Sequence, residues 1–297
     1  MTTNGNTIKS ILDSGIKILS ENSTIDNPKL DCEVLLTHIL NCNRIDLIIN
    51  KDRILSENET DTFFDLLNKR KNNMPISYIT KHREFMSLDF FVDEGILIPR
   101  PETELLVEEI IDNFKNSTDI SILDLCTGSG AICVSLAHYI KSAKLTAVDK
   151  YGVCIDVAKK NAVRNCVDDR VTFLKSNVLS DFNLQKSFDC IVSNPPYIKS
   201  TTLPSLPKDV KEYEPEYALD GGDDGLIFYR KIVDIATHTL TDNGLLAFEI
   251  GYDQGEDVKE IIEKTNLFHS VVVKKDYAGL DRVITAIKGI AYEKKKN

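Results

Sequence analysis

The sequence predicts an α/β protein: a small helical-bundle domain, a linking β-hairpin, then a mostly parallel, seven-stranded sheet covered by helices on both faces. Three features carry the prediction. Apolar residues recur at helical spacing through roughly the first 75 residues. A short stretch from Glu84 to Ile98 then turns to aromatic and β-branched residues (Phe85, Leu88, Phe90, Phe91, Val92). Farther on, β-branched runs alternate with helical stretches, as in a parallel sheet with crossover helices. At 297 residues the chain is about twice the usual length of one domain, which fits two. The expected division is a helical domain at 1–80, a hairpin linker at 81–99 and a sheet domain at 100–297.

Ile8, Ile11, Leu12, Ile16 and Leu19 form the first apolar stripe. Asn27-Pro28 reads as a cap with proline at the first helical position, ahead of the stripe Leu30, Val34, Leu35 and Ile39. Ser56 and Glu59 make a capping box before Phe63, Phe64, Leu66 and Leu67, and Pro75 should end that helix. In the linker, Asp93-Glu94-Gly95 is the expected turn between two short strands. After Ile98-Pro99-Arg100-Pro101 the expected strands are Ser121–Leu125, Lys144–Asp149, Val171–Ser176, Phe188–Ser193, Gly244–Ile250, Ser270–Lys274 and Arg282–Ile287. Ligands of such sheets bind at the carboxyl ends of the strands, near the switch in strand order. Arg100 and Glu102, flanking prolines before a helix, read either as the rim of that site or as a cap and an ion pair. The acidic run Asp220–Gly225 fails the EF-hand spacing and reads as a turn before the next helix. The charged tail Glu293–Asn297 reads as a solvated terminus.

Composition removes several classes of function. Hydrophobic residues at 42% and charged residues at 28% exclude a disordered or collagen-like chain. Lys+Arg total 36 against 46 Asp+Glu, a net charge of −10, which on average repels nucleic acid backbones. No apolar run approaches the roughly 20 residues that span a bilayer, and the polar stretch Met1–Ser10 lacks a signal-peptide core. The seven cysteines (32, 42, 126, 133, 154, 166 and 190) form no Cys-x-x-Cys pair and have no histidine at metal spacing. Neither a disulfide framework nor a metal site is therefore expected. The thiols read as small buried hydrophobes of a reducing, cytoplasmic protein.

Asp124-Leu125-Cys126-Thr127-Gly128-Ser129-Gly130-Ala131-Ile132 follows the first strand of the sheet domain and opens a helix. A dinucleotide fingerprint would need a third glycine at position 133, where Cys133 stands, and a phosphate loop would need a lysine that does not occur before Lys141. What remains is an acid at a strand end, a short glycine turn, and a second acid, Asp149, at the end of the next strand. Asp149 can accept hydrogen bonds from both hydroxyls of a ribose. A cofactor with a ribose and no phosphate, such as S-adenosylmethionine, fits; a turn with a helix cap at Thr127 or Ser129 is the alternative.

Asp189-Cys190-Ile191-Val192-Ser193-Asn194-Pro195-Pro196-Tyr197 runs a buried strand into two prolines, which cannot donate to a ladder. Asn194 and the carbonyl of Pro195 are thereby held at the strand's carboxyl end, two acceptors suited to a planar –NH2 group, and Tyr197 can stack on its plane. Such a nitrogen is a poor nucleophile because its lone pair is delocalised. Hydrogen bonds from both N–H groups raise its electron density and aim it at a sulfonium methyl, so transfer depends on positioning and electrostatics.

Asn194-Pro195-Pro196-Tyr197 together with the Asp124–Ile132 loop resembles the class I (Rossmann-like) methyltransferases that act on planar nitrogen. Pro75–Ile79, Arg83-Glu84-Phe85, Leu97–Glu104, Glu214–Leu219 and Ala278–Val283 are similar to stretches of the bacterial release factor glutamine methyltransferases (the HemK/PrmC family). The resemblance runs in order from about residue 8 to residue 288. It implies N5-methylation of the glutamine in the Gly-Gly-Gln loop of peptide chain release factors, with S-adenosylhomocysteine as product. Asn194, Pro195, Pro196 and Tyr197 would hold the glutamine amide. Asp124, Cys126, Thr127, Gly128, Ser129, Gly130, Asp149, Asn177, Val178 and Asn194 would hold the cofactor. The helical domain would help dock the release factor to a monomeric enzyme, with no nucleic acid, membrane or metal involved.

Three positions depart from the family pattern: Cys126 and Lys81 stand where glycine is usual, and Asn177, followed by Val178, stands where an aspartate followed by an apolar or aromatic residue is usual. A carboxamide at 177 can still accept from an adenine amino group, so weaker binding rather than loss is expected. The competing readings are a ribosomal-protein glutamine methyltransferase, an adenine-N6 DNA methyltransferase, disfavoured by the acidic balance, and a cofactor-binding module without catalysis.

Overall fold

A computed structural model describes residues 6–180, 182 and 184–289, so residues 1–5 and the tail Glu293–Asn297 lie outside the described residues. The chain divides into two units, Met1–His82 with Pro207–Tyr213, and Arg83–Leu206 with Glu214–Asn297. No helix among the described residues is long and apolar enough to cross a membrane.

The first unit begins with α1 (Ile8–Leu19), α2 (Pro28–Leu40), α3 (Arg44–Ile49), α4 (Glu57–Lys71) and α5 (Ile76–Thr80). The Asn27 side chain caps α2 by accepting from the N–H of Leu30 (3.0 Å), and the Ser56–Glu59 capping box is closed in both directions. One expectation is corrected here. Helix α4 already ends at Lys71, and Pro75 instead precedes α5, where its fixed φ and missing N–H suit a helix start. Leu19, Cys32, Leu35, Leu36 and Phe63 are wholly buried in the core of this unit. Each large apolar side chain so withdrawn from water stabilises it by about 2 kcal/mol.

The second unit opens with β1 (Arg83–Phe85) and β2 (Leu88–Phe90), paired antiparallel from Arg83↔Phe90 to Phe85↔Leu88. Their turn is Met86-Ser87, with φ of 51° and 55°, as a two-residue hairpin turn requires. The expected turn at Asp93-Glu94-Gly95 is therefore displaced: it lies beyond β2, where the N–H of Ile96 donates to the carbonyl of Asp93 (3.1 Å). Met and Ser carry no turn signature, so composition pointed to the neighbouring Asp-Glu-Gly.

Seven strands then form one sheet: β3 (Ile120–Leu125), β4 (Ala143–Asp149), β5 (Val171–Lys175), β6 (Phe188–Ser193), β7 (Leu240–Glu249), β8 (Phe268–Lys275) and β9 (Asp281–Lys288). Their order is β5-β4-β3-β6-β7-β9-β8, parallel except for β9. All seven expected strands are present; the largest shift is in β7, which starts at Leu240. Alternate residues feed two cores. Ile122, Cys190 and Val192 pack on one face, with α6 (Thr103–Phe114) and α7 (Ala131–Tyr139). Leu123, Leu125 and Ile191 pack on the other. Helix α8 (Gly152–Arg164) lies between β4 and β5 in the chain. After β6 the chain contributes Pro207–Tyr213, with α9 (Lys208–Tyr213), to the helical unit, where the Tyr213 hydroxyl donates to the carbonyl of Asn72 (2.6 Å). It then supplies α10 (Ile227–Thr239) and α11 (Gly255–Glu263) to the other core.

The path runs outward from β3 to β4 and β5, then returns to place β6 on the opposite side of β3. The carboxyl ends of β3 and β6 therefore flank the switch in strand order, where open α/β sheets bind ligands. One buried side chain ties this region together. Asn161 of α8 donates to the carbonyls of Phe91 and Ser129 (2.9 Å each) and accepts from the N–H of Phe91 (2.7 Å). Asn161→Ala leaves those groups unpaired away from water. It is expected to lower the stability of the protein by about 3 kcal/mol, measured by urea denaturation.

Candidate active site

A cleft open to solvent lies at the carboxyl ends of β3, β4 and β6. Of the residues singled out from sequence, Cys126, Gly128, Asp149, Asn177, Val178, Asn194 and Pro196 line it. Asp124, Thr127, Ser129, Gly130, Pro195 and Tyr197 are not among its lining residues.

The loop after β3 is held from below by acids. Asp124 is wholly buried and accepts from the Thr127 hydroxyl (2.6 Å), while the Thr127 N–H donates to the carbonyl of Val148 (3.0 Å). Burial pushes the Asp124 carboxyl up to about 7, and the bond from Thr127 only partly offsets this. Asp149 at the end of β4 accepts from the N–H groups of Gly128 (3.0 Å) and Tyr151 (2.9 Å), one on each oxygen. Burial raises this carboxyl too, against the pull of those bonds. The Cys154 thiol and the Lys150 N–H also act on this carboxyl. A Cβ at Gly130 would lie 2.9 Å from that of Ala158, so this glycine lets the loop pack on α8.

The two positions where the resemblance leads one to expect glycine, 126 and 81, share a backbone conformation. Cys126 has φ +63° and Lys81, the cap ending α5, has φ +57°. Both backbones are left-handed, which costs a residue with a Cβ roughly 1–2 kcal/mol. The chain accepts that strain at both places, and at 126 it also puts a side chain into the cleft wall.

Beyond Ser193, whose hydroxyl donates to the carbonyl of Leu125 (2.5 Å), the two prolines stop the β6 ladder. The backbone that follows is gripped on two sides. The N–H of Ile198 donates to the carbonyl of Leu219 (2.9 Å). Buried Gln254 donates to the carbonyl of Tyr197 (3.0 Å) while accepting from the N–H of Gly251 (2.9 Å). The acidic run at 220–225 forms turns, as expected, with Asp220 accepting from Gly222 (2.9 Å) and Asp224 from Leu226 (3.0 Å). Its glycines also serve the site: a Cβ at Gly225 would stand 2.5 Å from the Tyr197 carbonyl oxygen.

The side chains of the motif reach one buried acid. Asn194 donates through Nδ2 to the Thr103 hydroxyl (3.1 Å), Thr103 donates to Glu249 (2.5 Å), and the Tyr197 hydroxyl donates to the other oxygen of Glu249 (3.2 Å). Burial pushes the Tyr197 hydroxyl well above its ordinary range, so it stays a donor. Arg100 resolves as an ion-pair partner, 2.6 Å from the buried Glu214, and Glu102 precedes α6 without a side-chain cap bond. Tyr217 stacks on Tyr151 (ring centroids 3.7 Å apart) at the edge of the cleft. Thr103, Asn161, Glu249 and Gln254 escaped the reading of the sequence. Glu249 carried the same signal as Asp149, an acid closing an apolar strand.

The buried acids make stability depend on pH. With its carboxyl raised from 3.8 to about 7, folded Asp124 keeps a proton that the unfolded chain releases. Stability therefore falls as pH rises through that window, by at most about 1.4 kcal/mol per pH unit for one such group. Asp149 and Glu249, also raised by burial, act in the same direction. Urea denaturation at about pH 5 and about pH 8 is expected to show this decline, and Asp124→Asn is expected to flatten it.

Comparison with known proteins agrees with the geometry. A family profile described as the PrmC N-terminal domain matches residues 10–80, and one described as the methyltransferase small domain matches residues 101–205. The release factor glutamine methyltransferase of Clostridium acetobutylicum is 42% identical over 260 residues, 87% of this chain and 91% of that protein. That of Clostridium botulinum is 40% identical over 282 residues, covering 95% and 99%. In structure, a methyltransferase from Pyrococcus furiosus shares the fold, with a TM-score of 0.51, 22% identity, and coverage of 69% of this chain and 91% of that one. With such identity along nearly the whole of both sequences, the chain belongs to the release factor glutamine methyltransferase family.

Proposed function

We propose that the protein transfers a methyl group from S-adenosylmethionine to the side-chain amide nitrogen (N5) of the glutamine in the Gly-Gly-Gln motif of peptide chain release factors, leaving S-adenosylhomocysteine. The observation that carries the reading is Asn194, fixed by two prolines at the mouth of a cleft that Asp149 and the glycine loop also line. The cleft suits the cofactor. A Cβ at Gly128 would meet nothing within 4 Å, so this wall has room for a ligand against bare backbone. Asp149 lines the cleft, where its carboxyl is assigned to the ribose hydroxyls. Asn177 accepts from the N–H of Leu179 (3.1 Å) and keeps a lone pair for an adenine amino group. Val178 and Phe228 supply apolar wall. Cys126 completes this lining; Asp124, Thr127, Ser129 and Gly130 shape the loop from behind.

Bound there, the cofactor supplies a methyl group on a positively charged sulfur, an electrophile whose leaving group is a neutral thioether. The protein's part is to make an amide nitrogen attack it. Asn194 Oδ1 and the Pro195 carbonyl accept the two N–H bonds of the glutamine, which draws electron density onto nitrogen and fixes its direction. Pro196 closes the cleft wall beneath, and the Tyr197 ring covers the amide plane. No general base is required before attack, and the surplus proton passes from nitrogen to water. The helical unit is assigned to docking the release factor. The net charge of −10 argues against DNA as the substrate.

The test is mass spectrometry of release factor, ribosomal proteins and duplex DNA after incubation with the protein and labelled S-adenosylmethionine. One added methyl on the Gly-Gly-Gln glutamine is expected, and label in ribosomal protein or DNA instead would overturn the reading. Asn194→Ala is expected to lower turnover by about 100-fold or more with an unchanged melting transition.

A further inference from the structure

We propose that Thr103 and Glu249 are positioning residues: their hydrogen-bonded pair decides which way the carboxamide of Asn194 faces, and so whether its oxygen is presented to the glutamine amide. The inference rests on the function proposed above, and its argument is one of donors and acceptors. Glu249 closes β7 and Thr103 opens α6, and both are nearly inaccessible to solvent, at 1% and 4% exposure. The two oxygens of an ionised carboxylate only accept. One takes the hydroxyl proton of Thr103 (2.5 Å) and the other that of Tyr197 (3.2 Å). Thr103 has a single proton. Having given it to Glu249, its oxygen can offer Asn194 lone pairs alone, and Asn194 answers with Nδ2 (3.1 Å). The opposite end of the same amide, Oδ1, is then turned away from Thr103.

An asparagine is nearly symmetric in shape, so packing cannot choose between its two orientations. The flipped amide would aim two N–H groups at a substrate that itself offers N–H groups, a repulsive arrangement. The polarity of the Glu249–Thr103 bond makes the choice. Burial raises the proton affinity of this acid, and the hydroxyls of Thr103 and Tyr197, one on each oxygen, act against that rise together with the charge of Arg282, itself held by Asp276 (3.2 Å) and the carbonyl of Ile250 (3.4 Å). Through Tyr197 the same carboxylate also fixes the ring proposed to cover the amide, so one acid on a neighbouring strand holds both side chains of the clamp.

The test compares Thr103→Val, which keeps the shape and removes the hydroxyl, with Thr103→Ser, which keeps the hydroxyl. With release factor as substrate, Thr103→Val is expected to lower kcat at least about tenfold while the Kd for S-adenosylmethionine, from calorimetry, stays within about twofold; Thr103→Ser is expected to recover kcat to within about threefold. A second readout needs no turnover. In protein labelled with 15N-asparagine, the Asn194 side-chain resonance, identified by its loss in Asn194→Ala, is expected to exchange with solvent about tenfold more slowly in wild type and Thr103→Ser than in Thr103→Val. Equal kcat in wild type and a folded Thr103→Val, or equal losses in the Val and Ser variants, overturns the proposal. Should Thr103→Val fail to fold, Glu249→Gln replaces it, and kcat within about twofold of wild type is then the overturning result. A wild-type protein that leaves release factor unmethylated removes the functional reading instead, and the exchange measurement still decides the orientation of Asn194.

Discussion

The end of β6 is the constraint around which the sheet domain is arranged. A strand buried between β3 and β7 must pair on both edges, and Pro195 and Pro196 remove the donors needed to continue. Stopping there leaves a rigid, polar piece of backbone at the switch in strand order, where a buried strand end would otherwise be a liability. The surroundings answer that need group by group. Ser193 satisfies the carbonyl of Leu125, Gln254 satisfies that of Tyr197, and the glycine at 225 clears the room.

Three buried carboxylates stand at the carboxyl ends of β3, β4 and β7 and share a cause of raised proton affinity, desolvation. Their partners separate their roles. Asp124 is turned under the glycine loop toward Thr127 and does not line the cleft. Asp149 is held by two backbone N–H groups and lines the cleft. Glu249 is spent entirely on hydroxyls that reach the Asn194–Tyr197 motif. Such a layout sacrifices stability for a site built in advance, because ordering these groups during a reaction would add to its barrier.

Much of this was legible in the sequence because it was local. Strand alternation, the capping signatures at Asn27 and Ser56, and the proline stop after β6 each follow from neighbouring residues. The strand ends at Asp124, Asp149 and Asn194 were placed for the same reason. What was not legible depends on distant partners. Thr103 and Glu249 meet across 146 positions, and Asn161 reaches back 70 to Phe91, so no window of sequence displays either pair. The hairpin turn was misplaced because Met86-Ser87 adopts positive φ under the pull of the paired strands rather than by its own preference. At Cys126 the residue itself gives no sign of its left-handed backbone, because a side chain with a Cβ sits where the conformation favours glycine; only the resemblance marked the position.

The account stands on the direction in which one carboxamide presents its oxygen. The measurement that addresses it most directly is a crystal structure of the protein with S-adenosylhomocysteine and a Gly-Gly-Gln peptide bound. It is expected to show the glutamine nitrogen within hydrogen-bonding distance of both Asn194 Oδ1 and the Pro195 carbonyl, facing the sulfur, with Asn194 Nδ2 still on Thr103. A peptide held elsewhere, or an Asn194 amide turned with Nδ2 toward the glutamine, would contradict it.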